Sequence, residues 1–370
     1  MNGQKRVFVI DVDNTLLNTD GIKAYWIETL HTRYKISKND FTKAYNSSKN
    51  PTGFPNITKI ARSLHVEKDF FYKTPFKKYV FENALANIKR LKKIGKVIVF
   101  SLGEREYQAT KIKESGIEKA TRKNNIIIVQ DKKQGLKNLI ALIKKEGFSN
   151  INIINDVSSA LVEANKIDPR IVTIWVRFGK YKNKLPLIRS AVTFETDTFA
   201  VATEYLTRLI SNICLPGSNI KLSVLKDINE NQAHDLITYT KKDKRIKKYT
   251  HDSQRFRSLK TFSTWKLRNK TIYSLVNKRG KLQGIIWFDK KSFRKILFTF
   301  AIRIYPPVRG KGIARKFMRL VIKDFGKTHK NRVLWLITDK NNLPANNLYQ
   351  DFGFKKISET EKEIVMALKN

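Results

Sequence analysis

Two aspartates that follow a short apolar run are the residues of this sequence whose types and spacing most clearly suggest chemistry. Residues 7–10 are apolar, and Asp11 and Asp13 follow them one residue apart. Alternate positions of a strand share a face, so both carboxylates face the same side. Two carboxylates this close either hold a cation such as Mg²⁺ or share a proton, which suits a nucleophile with an acid/base partner. The alternative without chemistry is an Asx turn around Asn14 and Thr15.

A glycine-rich loop near the other end of the chain is the second feature that could do chemistry. Arg309, Gly310, Lys311 and Gly312 follow an apolar run and precede a helical pattern. Glycine allows backbone N–H groups to approach an anion closely, and a helix N-terminus adds a favourable partial charge. The loop is therefore compatible with a pyrophosphate, although an ordinary strand-to-helix loop has a similar composition.

The elements that position the aspartates predict an α/β fold. Helical patterns separate five apolar runs, at residues 7–10, 97–100, 126–129, 151–154 and 172–176. Such alternation predicts an N-terminal doubly wound parallel sheet, a Rossmann-like arrangement. Residues 18–93 lack a clear strand pattern over most of their length, and we expect a helical cap there, above the carboxyl edge of the sheet.

The pattern changes after a turn-rich segment at 214–219, which predicts a linker between two domains. A helix predicted at 199–213 closes the first domain, 1–213. The second domain, 220–370, is predicted to be α+β with a mixed, mostly antiparallel sheet, and its predicted later elements are strands near 271–277, 282–288, 296–305 and 333–338 and helices at 312–325 and 343–351.

Composition supports two globular domains and an anionic partner. The 370 residues are 41% hydrophobic and carry a net charge of +42, which suggests nucleic acid, phosphorylated metabolites or a nucleotide cofactor. Because no basic tail or block dominates the charge, nucleic acid is a less favoured partner. Cys214 is the only cysteine, which excludes an intrachain disulfide. The apolar runs are too short to span a bilayer, so we expect a cytoplasmic protein without a membrane partner.

Residues 1–213 resemble the haloacid dehalogenase (HAD) superfamily of phosphohydrolases. Asp11, Asp13 and Thr15 match the first motif of that family, and Ser101, at the end of an apolar run, matches the second. The resemblance implies that Asp11 attacks phosphorus to form an aspartyl phosphate. It also implies that Asp13 is the acid/base partner and that Ser101 binds the transferring phosphoryl oxygens, together with a lysine.

The lysine of the third HAD motif is expected shortly after the run 126–129. Lys132 and Lys133 both stand there. Spacing slightly favours Lys133, and the sequence leaves both open.

The fourth HAD motif is where this sequence departs from the family pattern. Asp156 follows the apolar run 151–154, but the second acid that usually comes soon after is missing until Glu163. The resemblance implies that Asp11, the main-chain carbonyl of Asp13 and Asp156 hold Mg²⁺ together with water. The alternative is a domain that retains the fold with little or no turnover.

Residues 220–368 resemble the Gcn5-related N-acetyltransferase (GNAT) superfamily. Arg309, Gly312 and Ala314 match its pyrophosphate loop, and the run from Asn342 to Phe354 matches its second signature. The resemblance implies acetyl-CoA or another acyl-CoA, bound between two diverging parallel strands, and an amine acceptor. It assigns Tyr349 as the acid that protonates the departing thiolate, and the cofactor-binding residues it implies are Ile302, Ile304, Arg309, Gly310, Lys311, Gly312, Ile313, Ala314, Arg315 and Asn342.

No general base for the acceptor amine is evident, because no acidic residue lies between Asp289 and Asp324. The candidates for this base are water, Asp289 or a residue near His251 and Asp252.

From the two resemblances together we expect a bifunctional acyltransferase and phosphohydrolase that acts on small molecules. The alternatives are an acetyltransferase with a catalytically weak HAD-like binding module, or a basic nucleic-acid-associated protein. The sequence does not predict the oligomeric state.

Overall fold

The computed structural model describes residues 5–51, 53–179, 189–218, 220–268, 270–294, 296–329 and 333–369. The chain divides into two compact units, Met1–Thr207 and Arg208–Asn370. This division precedes the expected linker at 214–219, of which residue 219 is outside the described part. The reason is that the predicted helix at 199–213 ends at Arg208, and Leu209–Cys214 is instead a strand that pairs with Lys221–Lys226 in the second unit.

The first unit contains a six-stranded parallel sheet, which confirms the predicted α/β fold class. The spatial order is β3-β2-β1-β4-β5-β6, so β1 pairs with β2 on one side and with β4 on the other. Ligands of such sheets bind beyond the carboxyl ends of the strands, where the chain order reverses. The strands are β1 (Arg6–Ile10), β2 (Lys96–Leu102), β3 (Ile126–Val129), β4 (Asn150–Asn155), β5 (Val172–Val176) and β6 (Phe194–Thr196).

The cap is shorter than predicted. It leaves and rejoins the sheet layer through two short paired segments, where the N–H of Phe81 donates to the Leu16 carbonyl at 3.0 Å and the N–H of Asn18 to the Tyr79 carbonyl at 2.8 Å. The next helix, α5, buries Ile88 and packs against β2, so the cap ends near residue 80 rather than 93. The helices of this unit are α1 (Thr19–Tyr34), α2 (Lys38–Ser47), α3 (Ile57–Ser63) and α4 (Asp69–Tyr72) in the cap, then α5 (Ala84–Lys92), α6 (Arg105–Glu114), α7 (Ile117–Thr121), α8 (Lys132–Lys145), α9 (Ser158–Ile167) and α10 (Phe199–Arg208).

The second unit contains a mixed, mostly antiparallel sheet, as predicted, and this sheet has eight strands among the described residues. Its order is β13-β14-β12-β11-β10-β9-β8-β7, and within the described residues only β11 and β12 are parallel neighbours. Their recorded pairing is limited to Phe298 with Leu334 and Thr299 with Trp335, so the two strands diverge beyond this point. The strands are β7 (Leu209–Cys214), β8 (Lys221–Lys226), β9 (Lys270–Val276), β10 (Leu282–Phe293), β11 (Ile296–Ile304), β12 (Leu334–Asp339), β13 (Lys355–Glu359) and β14 (Glu363–Leu368).

Helices pack on both faces of this second sheet. The buried stripe of α15, which includes Phe317 and Phe325, covers one face, and Phe325 stacks on Phe288 of β10 at 3.8 Å between ring centroids. On the other face, Trp265 of α14 packs edge-on against Trp287. No helix in the described ranges has the length and apolar character needed to cross a membrane. The helices are α11 (Glu230–Lys242), α12 (Lys244–Tyr249), α13 (Asp252–Arg255), α14 (Leu259–Lys266), α15 (Ile313–Thr328) and α16 (Leu343–Phe352).

Candidate functional site

The first site lies at the carboxyl end of β1, where the strand order reverses. Asp11 is 4% exposed, and its Oδ1 accepts a hydrogen bond from Lys132 Nζ at 2.9 Å. Lys132 is the first residue of α8, whose start is fixed by Asp131, the side chain of which accepts from the N–H of Gln134. Lys133, which spacing favoured, is not at the site. Its side chain is 76% exposed and its recorded ion pair is with Glu163, at 3.9 Å. The first turn of α8 therefore directs the two neighbouring lysines to different sides.

The carboxylates of Asp11 and Asp156 form an electrostatically coupled pair. Burial raises the pKa of Asp11, and the Lys132 charge opposes this. Burial and the Asp11 charge raise the pKa of Asp156 to about 8. At neutral pH such a pair holds a proton unless a cation replaces it.

The carboxylates of Asp11 and Asp156 suit a Mg²⁺ ion that has few protein ligands and keeps several water molecules. Within the described ranges no group of three or more His, Cys, Asp or Glu side chains is arranged to hold a metal. However, Asp11 Oδ2 is buried and has no hydrogen-bond partner among the described residues, and Asp156 is also buried. A hard cation that retains several waters suits two carboxylates and a carbonyl.

Asp13 is engaged by a lysine that the sequence analysis did not identify. Lys111 Nζ donates to both carboxylate oxygens, at 2.7 and 3.0 Å, and Thr19 Oγ1 donates to Oδ1 at 2.5 Å. Burial alone would raise the pKa of Asp13, but Lys111 and Thr19 hold it below the ordinary value. Asp13 is therefore ionised at neutral pH, and the carboxyl groups whose pKa values are raised are those of Asp11 and Asp156, not that of Asp13. The available signal for Lys111 was its position on α6, the helix that follows β2 and Ser101 at this edge of the sheet.

Ser101 reaches the same edge of the sheet from β2, the neighbour of β1. It is fully buried, and its hydroxyl donates to Gln108 Oε1 at 3.1 Å. Gln108 in turn donates to the Leu102 carbonyl at 3.0 Å. Gly103 has φ +149°, and a Cβ there would lie 2.5 Å from the Gln108 amide, so glycine is required for this packing. Gln108 thus fixes the orientation of the Ser101 hydroxyl.

The second site is a cleft of about 1970 Å³ in the second unit, lined by residues of β11, β12, α12, α15 and α16. Of the predicted residues, Lys311 is not part of the lining, because its Nζ turns back to donate to the Pro307 carbonyl at 2.8 Å. The predicted residues that line the cleft are Ile302, Ile304, Arg309, Gly310, Gly312, Ile313, Ala314, Arg315, Asn342 and Tyr349.

The edge of β11 presents backbone donors to this cleft. The N–H of Tyr305 donates to the Gln283 carbonyl at 2.9 Å, so odd-numbered residues bond to β10. The main-chain groups of Ile302 and Ile304 therefore point away from β10, towards the gap where β12 diverges. Their carbonyls accept from Arg303 at 2.9 Å and from Arg309 at 3.0 Å. The N–H groups of Ile302 and Ile304 are then the polar groups available to a ligand.

The loop before α15 has free space beside its backbone at Gly310. Gly310 and Gly312 have φ of +77° and +69°, a region that favours glycine. A Cβ on Gly310 would meet nothing within 4 Å, so backbone conformation, not crowding, selects glycine there. The first N–H groups of α15, which begins at Ile313, have no acceptor within the helix. These amides suit an anion.

Arg309 in the loop and Arg315 in the first turn of α15 were expected to bind the cofactor, but each is already paired with a carboxylate. Arg309 forms an ion pair with the buried Asp243, which caps α12. Arg315 donates to Asp351 Oδ2 at 2.5 Å, and both of these side chains are about half exposed. We therefore interpret Arg309 primarily as a clamp that holds the loop, and not as an uncommitted phosphate ligand.

Tyr349 and the candidate bases complete the cleft. Tyr349 is buried, and its burial raises the pKa of the phenol, which the Arg303 charge opposes. Among the candidate bases, Asp289 pairs with Lys270 at 2.6 Å and is not a lining residue. Asp252 is buried and paired with two arginines. His251 lines the cleft and is exposed.

Comparison with known proteins finds a family match within the second unit. Residues 235–354 match the model of the acetyltransferase (GNAT) family, which confirms the predicted GNAT domain. No curated protein matches the chain. Among solved structures, a haloacid dehalogenase-like hydrolase from Burkholderia xenovorans is 18% identical over 55% of this chain and 96% of its own, with a TM-score of 0.46. A ribosomal-protein-S5-alanine acetyltransferase from Vibrio fischeri is 16% identical over 40% of this chain and 93% of its own, with a TM-score of 0.34. A ribosomal L7/L12 alpha-N-protein acetyltransferase in complex with coenzyme A is 11% identical over 43% and 98%, with a TM-score of 0.36.

Proposed function

We propose that this chain, in which residues 235–354 form a GNAT domain, is a bifunctional enzyme. The second unit transfers an acyl group, most simply acetyl, from acyl-CoA to an amine. The first unit is a Mg²⁺-dependent phosphohydrolase of the HAD type that acts on a small phosphorylated metabolite. The observation that carries the proposal is the cleft at the divergence of β11 and β12, with backbone donors on one edge and a helix N-terminus below.

In acyl transfer, each group of the cleft has a defined task. Acyl-CoA supplies the activated acyl group. The N–H groups of Ile302 and Ile304 orient its amide-bearing arm, and the amides from Gly312 onward hold its pyrophosphate. Asn342, which lines the cleft at the start of α16, contacts the same arm. The amine attacks the acyl carbon, the carbon–sulfur bond breaks, and the amine nitrogen releases its proton to water. Tyr349 keeps its proton at neutral pH because burial raises its pKa, so it can protonate the departing thiolate.

In phosphate release, Asp11 attacks phosphorus to form an aspartyl phosphate as the bond between phosphorus and the leaving oxygen breaks, and the departing oxygen takes a proton from water. Lys132, at 2.9 Å from Asp11, pairs with the phosphoryl oxygens, and Ser101 binds them from β2 once its hydroxyl turns away from Gln108 Oε1. Asp13 is ionised, so it accepts a proton from the water that hydrolyses the aspartyl phosphate. Asp11, Asp156 and the Asp13 carbonyl would hold Mg²⁺, which would supply neutralising charge.

The acyltransferase is tested by calorimetry with acetyl-CoA and by amine-dependent release of CoA thiol. We expect saturable binding near one site per chain, and thiol release that falls at least tenfold in Tyr349→Phe while binding is retained. A protein that neither binds acetyl-CoA nor releases thiol would refute this half.

The phosphohydrolase is tested by Mg²⁺-dependent release of phosphate from p-nitrophenyl phosphate. We expect turnover that is lost in Asp11→Asn. A second candidate, a binding module without turnover, is favoured by the engagement of Asp13 with Lys111 and by the single acid of the fourth motif. Absence of turnover in the wild type, with Mg²⁺ present, would select the module.

A further inference from the structure

Two arginines on the wall of the acyltransferase cleft are held by one buried aspartate. Asp252 is 1% exposed and accepts from Arg255 Nη1 at 2.8 Å. It also accepts from Arg303 Nε at 2.6 Å and Nη2 at 3.3 Å. Both arginines line the cleft. The aspartate thus fixes two guanidinium groups from different elements, α13 and β11, at one place.

The charges of this cluster do not balance. Within the described residues, Asp252 is the only acid recorded in an ion pair with either arginine, which leaves one positive charge in excess. The Arg303 side chain is 17% exposed and that of Arg255 is 37% exposed, so the pair is partly shielded from water. The guanidinium carbons lie 5.0 Å (Arg303) and 5.9 Å (Arg255) from the centre of the Trp287 ring, which offsets part of the cost of burial. A partly desolvated cation without a full counter-charge favours an anionic ligand.

The arginines also retain unused donors. Arg303 uses three N–H groups on Asp252 and the Ile302 carbonyl, and a guanidinium carries five. Arg255 is recorded with a single bond to Asp252, through Nη1. Planar guanidinium groups with free N–H pairs match the geometry of a carboxylate or a phosphate.

The cluster lies beside the predicted path of the acyl-bearing arm. Arg303 directly follows Ile302, whose N–H faces the cleft, and alternation along β11 places the two side chains on opposite faces of the sheet. Ile302 packs into the apolar core under α15. Arg303 lies on the other face, with Trp287.

We infer that Arg255 and Arg303 form an oxyanion site that binds a carboxylate or phosphate carried by a substrate of the acyltransferase. This inference rests on the proposed acyl transfer. The acceptor amine is one source of such a group, and a dicarboxylic acyl-CoA is the other. Both present the same chemistry to the arginines, so the experiment has to separate them.

The first arm compares acceptors with acetyl-CoA in the full-length protein. Phosphoethanolamine is matched with ethanolamine, and glucosamine 6-phosphate with glucosamine. The second arm compares succinyl-CoA with butyryl-CoA at one neutral acceptor. We expect at least a tenfold preference in kcat/KM for the charged member in one arm. The arm that shows it identifies the source.

Two variants test whether the preference for the charged substrate depends on the arginine cluster. Arg255→Gln leaves Arg303 paired with Asp252, so the fold is retained. It should reduce the preference about tenfold, through KM for the charged substrate, and leave the neutral one within twofold. Arg319→Gln, on the exposed face of α15 and outside the cleft lining, is the control that removes an equal charge.

Outcomes that defeat this inference differ from those that defeat acyl transfer. Equal rates for charged and neutral members in both arms, or a preference unchanged in Arg255→Gln, would overturn the oxyanion site while acyl transfer stands. Calorimetry of phosphoethanolamine and of succinyl-CoA gives a readout without turnover. If neither binds more tightly to the wild type than to Arg255→Gln, the site is also overturned. Failure to bind any acyl-CoA is the separate failure of the proposed function.

Discussion

Replacing Arg309 tests whether this residue is a clamp for the loop before α15. Its guanidinium pairs with Asp243 and donates from Nε to the Ile304 carbonyl at 3.0 Å, so it ties three segments of the second unit together. We predict that Arg309→Gln destabilises this unit and loosens the loop, which weakens acetyl-CoA binding indirectly.

The expected loss of stability follows from the buried Asp243 carboxylate, which Arg309→Gln leaves without its ion-pair partner. The Asp243 side chain is 4% exposed, and removal of one partner of a buried ion pair costs about 3–5 kcal/mol. Two features reduce this. Asp243 keeps hydrogen bonds from the N–H groups of Arg245 and Ile246, and the Arg309 side chain is 26% exposed. We therefore expect a loss of about 2–3 kcal/mol in the free energy of unfolding.

The assay is urea unfolding followed by tryptophan fluorescence, with the transition of the second unit identified as the one that CoA shifts. A double-mutant cycle adds Asp243→Asn and the double variant. Because the double variant contains no unpaired charge, it should be more stable than Arg309→Gln by about 1 kcal/mol or more. Arg309→Lys should restore part of the stability.

The result that would refute the clamp is additivity. If the two substitutions add within about 0.3 kcal/mol, the pair is not coupled. If Arg309→Gln unfolds like the wild type and yet loses acetyl-CoA affinity, Arg309 contacts the pyrophosphate directly, as the sequence motif alone predicts.

Three further predictions address other parts of the chain. Lys132→Met should lower phosphate release from p-nitrophenyl phosphate about a hundredfold or more, whereas Lys133→Met stays within about twofold; equal losses would contradict the orientation of α8. Gly312→Ala should weaken acetyl-CoA binding in calorimetry about tenfold. An L residue at φ +69° disfavours this backbone conformation by roughly 1–2 kcal/mol, and the loop amides need that conformation to hold the pyrophosphate. Unchanged affinity would show that the loop does not hold the ligand. Hydrogen bonds from Arg170 hold the pKa of Asp168 below its ordinary value, so the stability this carboxylate contributes is present above its unfolded pKa of about 3.9 and is lost as the pH falls below it. Urea unfolding should show a steeper loss at acid pH in the wild type than in Asp168→Asn, and parallel curves would contradict the assignment.

The positions of the reactive groups in the fold could be predicted from the sequence, because the end of a strand is a local feature of the sequence. Apolar runs located the strands that precede Asp11, Ser101 and Asp156, and the carboxyl ends of parallel strands meet at one edge. The same holds for the loop around Gly312, where the predicted order of strand, glycine turn and helix is the observed one.

The ion-pair partners of these site residues could not be predicted from the sequence, because they depend on contacts between residues that are distant in the sequence. Lys111 reaches Asp13 across 98 residues, and Arg309 reaches Asp243 across 66. The choice of Lys132 over Lys133 depends on the phase of the first turn of α8, which a one-residue difference in spacing cannot resolve. These ion pairs change the expected protonation of Asp13 and the expected role of Arg309.

The sequence predicts a helix at residues 209–213, where the structure has the strand Leu209–Cys214, for a different reason. Its residues continue the apolar pattern of α10 without a break, and no glycine or proline marks the change at Arg208. Pairing with Lys221–Lys226 decides its conformation, and that pairing belongs to the second unit. The domain boundary was displaced for the same reason.

The central claim, that one chain carries two independent reactions, is tested most directly by a crossed measurement. Phosphate release and amine-dependent thiol release are measured on the wild type, Asp11→Asn and Tyr349→Phe. Our account predicts that Asp11→Asn loses only phosphate release and that Tyr349→Phe loses only thiol release. Loss of both activities in either folded variant, or the absence of one activity from the wild type, would contradict it.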